Sequence, residues 1–180
     1  MTALQAPIDG LFLGSIQTLW PDKAPSAIVK HATLSSVYLT TTGFTGDEQA
    51  DLRVHGGSEK AVHHYSADHY PYWIDLHGSR PAFCPGGFGE NISTMGITES
   101  TICIGDILSL GNAIVQVSQG RQPCWKLNRH TGIDQLAKQF QQSAKTGWYY
   151  RVLDEGSVQT GQTIRLLERP NPEWSVEQVT

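Results

Sequence analysis

The run TICIGDILSLGNAIVQVS, from Thr101 to Ser118, restricts the fold more than any other stretch. Two dipeptides that tolerate positive φ, Gly105-Asp106 and Gly111-Asn112, cut it into short pieces rich in β-branched residues. In the last piece Ile114, Gln116 and Ser118 share one face while Val115 and Val117 take the other, so at least one face is apolar. A period of two between tight turns reads as consecutive strands. GLFLGSIQTL, LSSVYLTTTG and WYYRVLDEGSVQTGQTIRLLER repeat the pattern. Only two stretches read as helices, over 68–77 and 134–145. Ser66 caps the first and Gly78 stops it, with Pro71 imposing a kink or a later start because its ring would clash with the Ala67 carbonyl. The second places Leu136 and Phe140 on one face and ends at Gly147. The expectation is a mainly β domain over residues 1–168, a mostly antiparallel and nearly closed β-barrel with a few peripheral helices. In the tail, 169–180, Ser175 would cap the start of a short helix. The sequence ends there as though more chain followed, or as though the tail docks on something.

A chain of 180 residues suits one domain and buries roughly 70% of its unfolded surface, enough for a core without staples. Hydrophobic content of 39% against 17% charged describes a globular chain. No run approaches ~18 apolar residues, so no transmembrane helix is expected, and the N-terminus lacks the cationic start and apolar core of a signal peptide. Cys84, Cys103 and Cys124 are odd in number and widely spaced. They form no disulfide framework and suggest the reducing cytoplasm. The absence of any C-x-x-C pair argues against structural zinc. A net charge of −4 argues against general nucleic-acid binding.

Against that negative balance, the segment SQGRQPCWKLNRH gathers Arg121, Lys126 and Arg129 about Cys124, and no acid occurs between Asp106 and Asp134. A free cysteine is often a small buried hydrophobe. Here Pro123 breaks any strand ladder, so the thiol sits where a strand gives way to a loop. Neighbouring cations favour the thiolate, the form that attacks electrophiles and binds soft metals. Cys103, between Ile102 and Ile104, reads as core, and Cys84 as structural.

Two further stretches carry chemistry. DLRVHGGSEKAVHHY sets Arg53, His55 and Lys60 around Gly56-Gly57, which allows a tight bend and a close backbone approach. Guanidinium, imidazole and ammonium together suit an oxyanion. The same residues also read as an ordinary glycine turn with a solvated rim. His63 and His64 raise a zinc site with His69, but neighbours on a strand face opposite ways and no carboxylate joins them. CPGGFGENI, with Glu90 and Asn91, fits neither G-x-G-x-x-G nor the P-loop. It is either a flexible connection or a platform of backbone amides for a flat ligand.

Taken together, TGFTGDEQADLRVHGGSEKAVHHY, FGENISTMGITESTICIGDIL, VSQGRQPCWKL and GWYYRVLDEGSVQTGQTIRLLERPNPEWS resemble the MOSC family, the molybdenum cofactor sulfurase C-terminal domain, in its stand-alone YiiM-like bacterial branch. The resemblance runs from about Gly14 to Ser175. It implies a MOSC-like barrel, a molybdenum cofactor (Mo-molybdopterin), and reduction of N-hydroxylated compounds such as hydroxylaminopurine, hydroxylamines and hydroxamates, as in detoxification. It implies that the cysteine of R-x-P-C, here Cys124, is the molybdenum ligand and that electrons come from a flavoprotein donor. Arg53, His55, Gly56, Gly57, Lys60, Asn91, Arg121, Gln122 and Lys126 are the expected cofactor-binding residues, with His130 a candidate proton donor beside Cys124. No membrane or nucleic acid partner is expected, and a homodimer is one option. Relatives often carry proline where this chain has Gly120, and commonly continue into a C-terminal helical segment. The alternatives are a molybdopterin carrier or insertion module without turnover, and a cysteine-nucleophile enzyme with His130 or His55 as base.

Overall fold

The computed structural model describes residues 4–52 and 55–180. In chain order the strands are β1 (Gln5–Pro7), β2 (Gly10–Gly14), β3 (Lys30–Ala32), β4 (Val37–Thr40), β5 (Gly43–Phe44), β6 (Val62–Ser66), β7 (Ile92–Thr94), β8 (Ile107–Leu110), β9 (Ala113–Gly120), β10 (Trp148–Asp154), β11 (Gly156–Val158) and β12 (Thr163–Glu168). The helices are α1 (Tyr70–His77), α2 (Trp125–Thr131), α3 (Leu136–Ser143) and α4 (Val176–Val179). Nine strands form one curled, barrel-like sheet in the order β1-β12-β8-β9-β10-β6-β7-β2-β3, and β11-β4-β5 form a second sheet. Every pairing is antiparallel except β6 with β7. The mainly β, mostly antiparallel expectation holds. No helix among the described residues is long and apolar enough to cross a membrane.

Strand alternation builds the core. Along β9, Ala113, Val115 and Val117 are buried, whereas Ile114, Gln116 and Ser118 are half-buried. Val115 and Val117 join Leu39, Ile92, Leu108, Trp148, Tyr150 and Ile164 in one cluster that both sheets share. A second cluster, Tyr65, Tyr70, Trp73, Phe83, Phe88, Leu127, Leu136 and Phe140, fixes α1, α2 and α3 to the outside.

The helices settle one alternative and depart from expectation in two places. A 3-10 turn over Ala67–His69 precedes α1, so Pro71 falls in the first helical turn, where its missing N–H costs nothing. This is the later start. The helix carrying Leu136 and Phe140 stops at Ser143 rather than Gly147, because Ala144 takes a left-handed conformation with φ 54°. Gly147 instead leads into β10. α2 was not expected. Its start immediately after Pro123-Cys124 hides it, while Gly132, left-handed at φ 72°, marks its end. Cys103 is buried as expected but lies in an isolated bridge to Ser175, not a strand.

The tail docks on the barrel it belongs to. Arg169 donates through Nη2 and Nε to the fully buried Asp106 carboxylate, at 2.7 and 3.0 Å. The amides of Val176 and Glu177 donate to the carbonyls of Ile102 and Glu99. Ser175 caps α4 in a capping box with Gln178, and Val176 is buried in the main cluster.

Candidate functional site

β9 ends at Gly120, and the next four residues swing out of the sheet before α2 begins. Cys124 is the N-cap of α2, extended at φ −123° and ψ 174°. It is half-buried, whereas Cys84 is exposed and Cys103 buried. The thiol lines a cavity of about 1390 Å³ and also an adjoining inner hollow of about 100 Å³. Arg121, Gln122, Lys126, His55 and Lys60 line both spaces. Two stretches some sixty residues apart thus converge on one thiol. Arg53, which the sequence grouped with them, lies outside the described residues.

The cations feel one another. Burial lowers the His55 pKa first, and Lys126, Arg121 and Lys60 lower it further against the opposing pull of Asp51. Arg121 is only 7% exposed, and its Nη1 has no hydrogen-bond partner among the described residues. A buried guanidinium nitrogen without a partner is costly and calls for an explanation. Lys126, in the first turn of α2, is 9% exposed. Although the Cys124 segment contains no acid, the cavity wall does: Asp51 lines the main space and Asp47 the inner hollow. Asp47 is already engaged, accepting from Lys30 Nζ at 2.5 Å, Gly14 N at 2.7 Å and Asn91 Nδ2 at 2.9 Å.

Asn91 lines the inner hollow, but its amide is committed inside the protein. Its Oδ1 accepts from the His63 amide at 3.1 Å, and Nδ2 donates to Asp47 and the Phe12 carbonyl. It acts on the site by holding β2 and β6 in place. Glu90 is equally committed, accepting from Tyr70 Oη, Gly86 N and Phe88 N, and so closes the glycine-rich loop. Gly56, at φ 79°, lines the hollow, while Gly57, at φ 81°, caps the 3-10 turn Ser58–Lys60 that delivers Lys60.

His130 is placed elsewhere. It sits about 9 Å along the α2 axis from Cys124 and lines a separate hollow with Arg80, Cys84 and Gly87. It shares neither cavity with the thiol, so the geometry does not bring it to the role expected of it. Burial lowers its pKa, and a hydrogen bond with the Gly87 backbone opposes that shift. The histidines weighed for zinc are spread apart. His64 bonds Tyr150 Oη and Thr94 Oγ1 at 2.9 Å each, and His69 Nε2 bonds Glu99 Oε2 at 2.6 Å. Among the described residues no three His, Cys, Asp or Glu side chains cluster to hold a metal.

Sequence reasoning missed Tyr149 and weighed His63 only for zinc, whereas it lines the inner hollow. Trp148 and Tyr150 are buried in the core, so strand alternation turns Tyr149 to the opposite face and into the cavity. Its ring lies 5.8 Å from Lys60 Nζ and 5.2 Å from the His63 ring. Burial raises the phenol pKa, Arg121 lowers it and Cys124 raises it, which places all three groups in one field.

Residues 51–165 match the MOSC domain model. The uncharacterised protein YflK of Bacillus subtilis is 46% identical over 169 residues, covering 93% of this chain and 76% of that one. YiiM of Escherichia coli is 41% identical over 167 residues, covering 92% and 74%. Its crystal structure aligns with a TM-score of 0.80 at 32% identity, over 97% of this chain and 75% of that one. A protein named reductase from Gibberella moniliformis is 42% identical over 153 residues, covering 84% of this chain but 27% of its own length. On these matches, and with the R-x-P-C cysteine in the cavity wall, the chain belongs to the MOSC domain family.

Proposed function

We propose that the protein is a molybdenum cofactor-dependent reductase of N-hydroxylated compounds, with Cys124 as the protein ligand to the metal. One observation carries the reading: a half-buried thiol opens onto a cavity whose buried Arg121 guanidinium has an Nη1 unpartnered among the described residues, beside Lys126, Lys60 and His55. Those residues fit an anionic, phosphate-bearing cofactor with a soft metal. Guanidinium and ammonium groups hold phosphate oxygens by charge-assisted hydrogen bonds, and a thiolate is the side chain best suited to a soft site. A cavity of about 1390 Å³ has room for a cofactor and a small substrate together.

A molybdenum cofactor bound here supplies a two-electron redox centre. Arg121, Lys126, Lys60 and His55 would hold its anionic end, and Cys124 would fix the metal at the cavity wall. The half-buried Tyr149 face and the exposed Gln122 border the space left for substrate. The overall change is R–NH–OH + 2e⁻ + 2H⁺ → R–NH₂ + H₂O. The N–O bond breaks, the nitrogen is reduced, and the oxygen leaves as water. The electrons would come from a separate flavoprotein, as the family resemblance implies.

The test is turnover. Protein purified from a host able to make the cofactor should reduce an N-hydroxylated compound when dithionite-reduced methyl viologen replaces the natural donor. Molybdenum-loaded protein that reduces neither a hydroxylamine nor a hydroxamate would refute the reading.

A further inference from the structure

Two of the five tryptophans, Trp73 and Trp148, are fully buried. Two others, Trp125 and Trp174, are 40% and 57% exposed, and both line the main cavity. An exposed indole on a loose tail would signify little. The Trp174 backbone is not loose. Its N–H donates to the Asn171 carbonyl at 3.1 Å, and its carbonyl accepts from Ile104 N at 2.9 Å. The Arg169–Asp106 ion pair anchors the tail before it, and buried Val176 anchors it after. Beyond Val176, the Thr180 carbonyl accepts from Gln141 Nε2 at 2.6 Å, so the strap closes along the cavity edge. Trp125 is held from behind by Trp20, with ring centroids 5.6 Å apart. The result is a cavity with cations around the thiol and two exposed indoles in its wall. Charge explains the first group, because an anionic cofactor needs it. Packing accounts for the second only in part, since Trp125 meets Trp20 on one side and both indoles leave 40% or more of their surface to solvent.

We propose that Trp174 is a specificity-determining residue, stacking on the ring of an aromatic N-hydroxylated substrate whose N–O bond points toward Cys124. This rests on the reductase reading above. A planar ring offers the indole a π-face, and an alkyl hydroxylamine offers none. An indole also has only two side-chain torsions to order on stacking, so little of the contact is lost as conformational entropy.

The test compares phenylhydroxylamine with N-methylhydroxylamine on molybdenum-loaded protein, together with a calorimetric titration with adenine, a planar ring without an N–O bond. Trp174→Ala should lower kcat/KM for phenylhydroxylamine about tenfold, chiefly through KM, and change N-methylhydroxylamine less than about twofold. Trp174→Phe should restore most of the loss, and adenine binding should weaken in parallel with the alanine variant. Equal losses on both hydroxylamines, or unchanged adenine binding in Trp174→Ala, would overturn the proposal. If loaded wild-type protein turns over neither hydroxylamine, the reductase reading fails. Adenine binding that still depends on Trp174 would then uphold the aromatic platform on its own.

Discussion

Replacing Arg121 with methionine is expected to make the cofactor-free protein more stable while weakening its hold on anions. The side chain is 7% exposed and its Nη1 has no partner among the described residues. A buried, unsatisfied polar group costs about 1–3 kcal/mol, and exchanging a buried ion for an apolar side chain of similar volume often gains about 1–4 kcal/mol. Methionine fills the space without either cost, so a gain of about 1–3 kcal/mol is expected. For a chain of this length that is roughly 2–4 °C in Tm per kcal/mol. Urea titration in phosphate-free buffer measures it, with an unchanged m-value as the check that the unfolding transition is the same. Repeating the titration with inorganic phosphate adds the binding side. Wild-type protein should gain stability as phosphate occupies the cationic wall, and Arg121→Met should gain much less. An Arg121→Met protein less stable than wild type, with the same phosphate increment, would refute the assignment of Arg121 as an anion-binding group held in place at a cost to the fold.

Two further outcomes rest on the glycine and histidines packed beside the site. Gly147 has φ 76°, and a Cβ there would stand 2.4 Å from the His64 carbonyl oxygen. Gly147→Ala should therefore cost at least the about 1–3 kcal/mol of a strained φ, and a thermal unfolding shift smaller than about 2 °C would contradict this. Burial lowers the His64 pKa to about 3 and holds His63 well below its ordinary 6.5. The unfolded chain then binds protons that the folded one refuses. Stability should be full above pH 6.5 and fall as pH drops toward about 3, with His64 costing on the order of 1 kcal/mol per pH unit and His63 adding to the loss below 6.5. Urea midpoints that stay flat from about pH 7 to about pH 5 would rule that out.

How much of this was legible in the chain differs from element to element. The sheet was, because Val115 and Val117 alternate with polar neighbours between glycine turns, and a period of two needs no tertiary information. The convergence of His55 and Lys60 with Arg121 and Lys126 was read from charge, since only an anion justifies crowding cations. α2 was hidden because Pro123 and Cys124 signal an exit from a strand and carry no mark of the helix beyond them. That same helix explains His130, whose proximity to Cys124 in sequence becomes a separation of about 9 Å along the axis. Tyr149 was accessible in principle: its neighbours Trp148 and Tyr150 are core residues, and alternation alone turns it outward. Asn91 was expected at the cofactor, and what its side chain and that of Glu90 bond to could not be read from the chain, because it depends on hydrogen bonds formed in the folded protein, some between distant segments. The indole of Trp174 was beyond sequence reasoning, because it reaches the cavity through the docking of the tail, by Arg169 on Asp106 and by buried Val176.

The central claim is that Cys124, and neither of the other cysteines, binds the metal. The most direct measurement is the molybdenum-to-protein ratio of Cys124→Ser, Cys84→Ser and Cys103→Ser proteins purified alike from a host that makes the cofactor. Serine replaces a soft ligand with a hard one of similar size, so the fold should persist in all three. The expected result is near wild-type molybdenum in the Cys84 and Cys103 variants and little or none in Cys124→Ser. Normal molybdenum in Cys124→Ser, or its loss in one of the other two alone, would contradict the account.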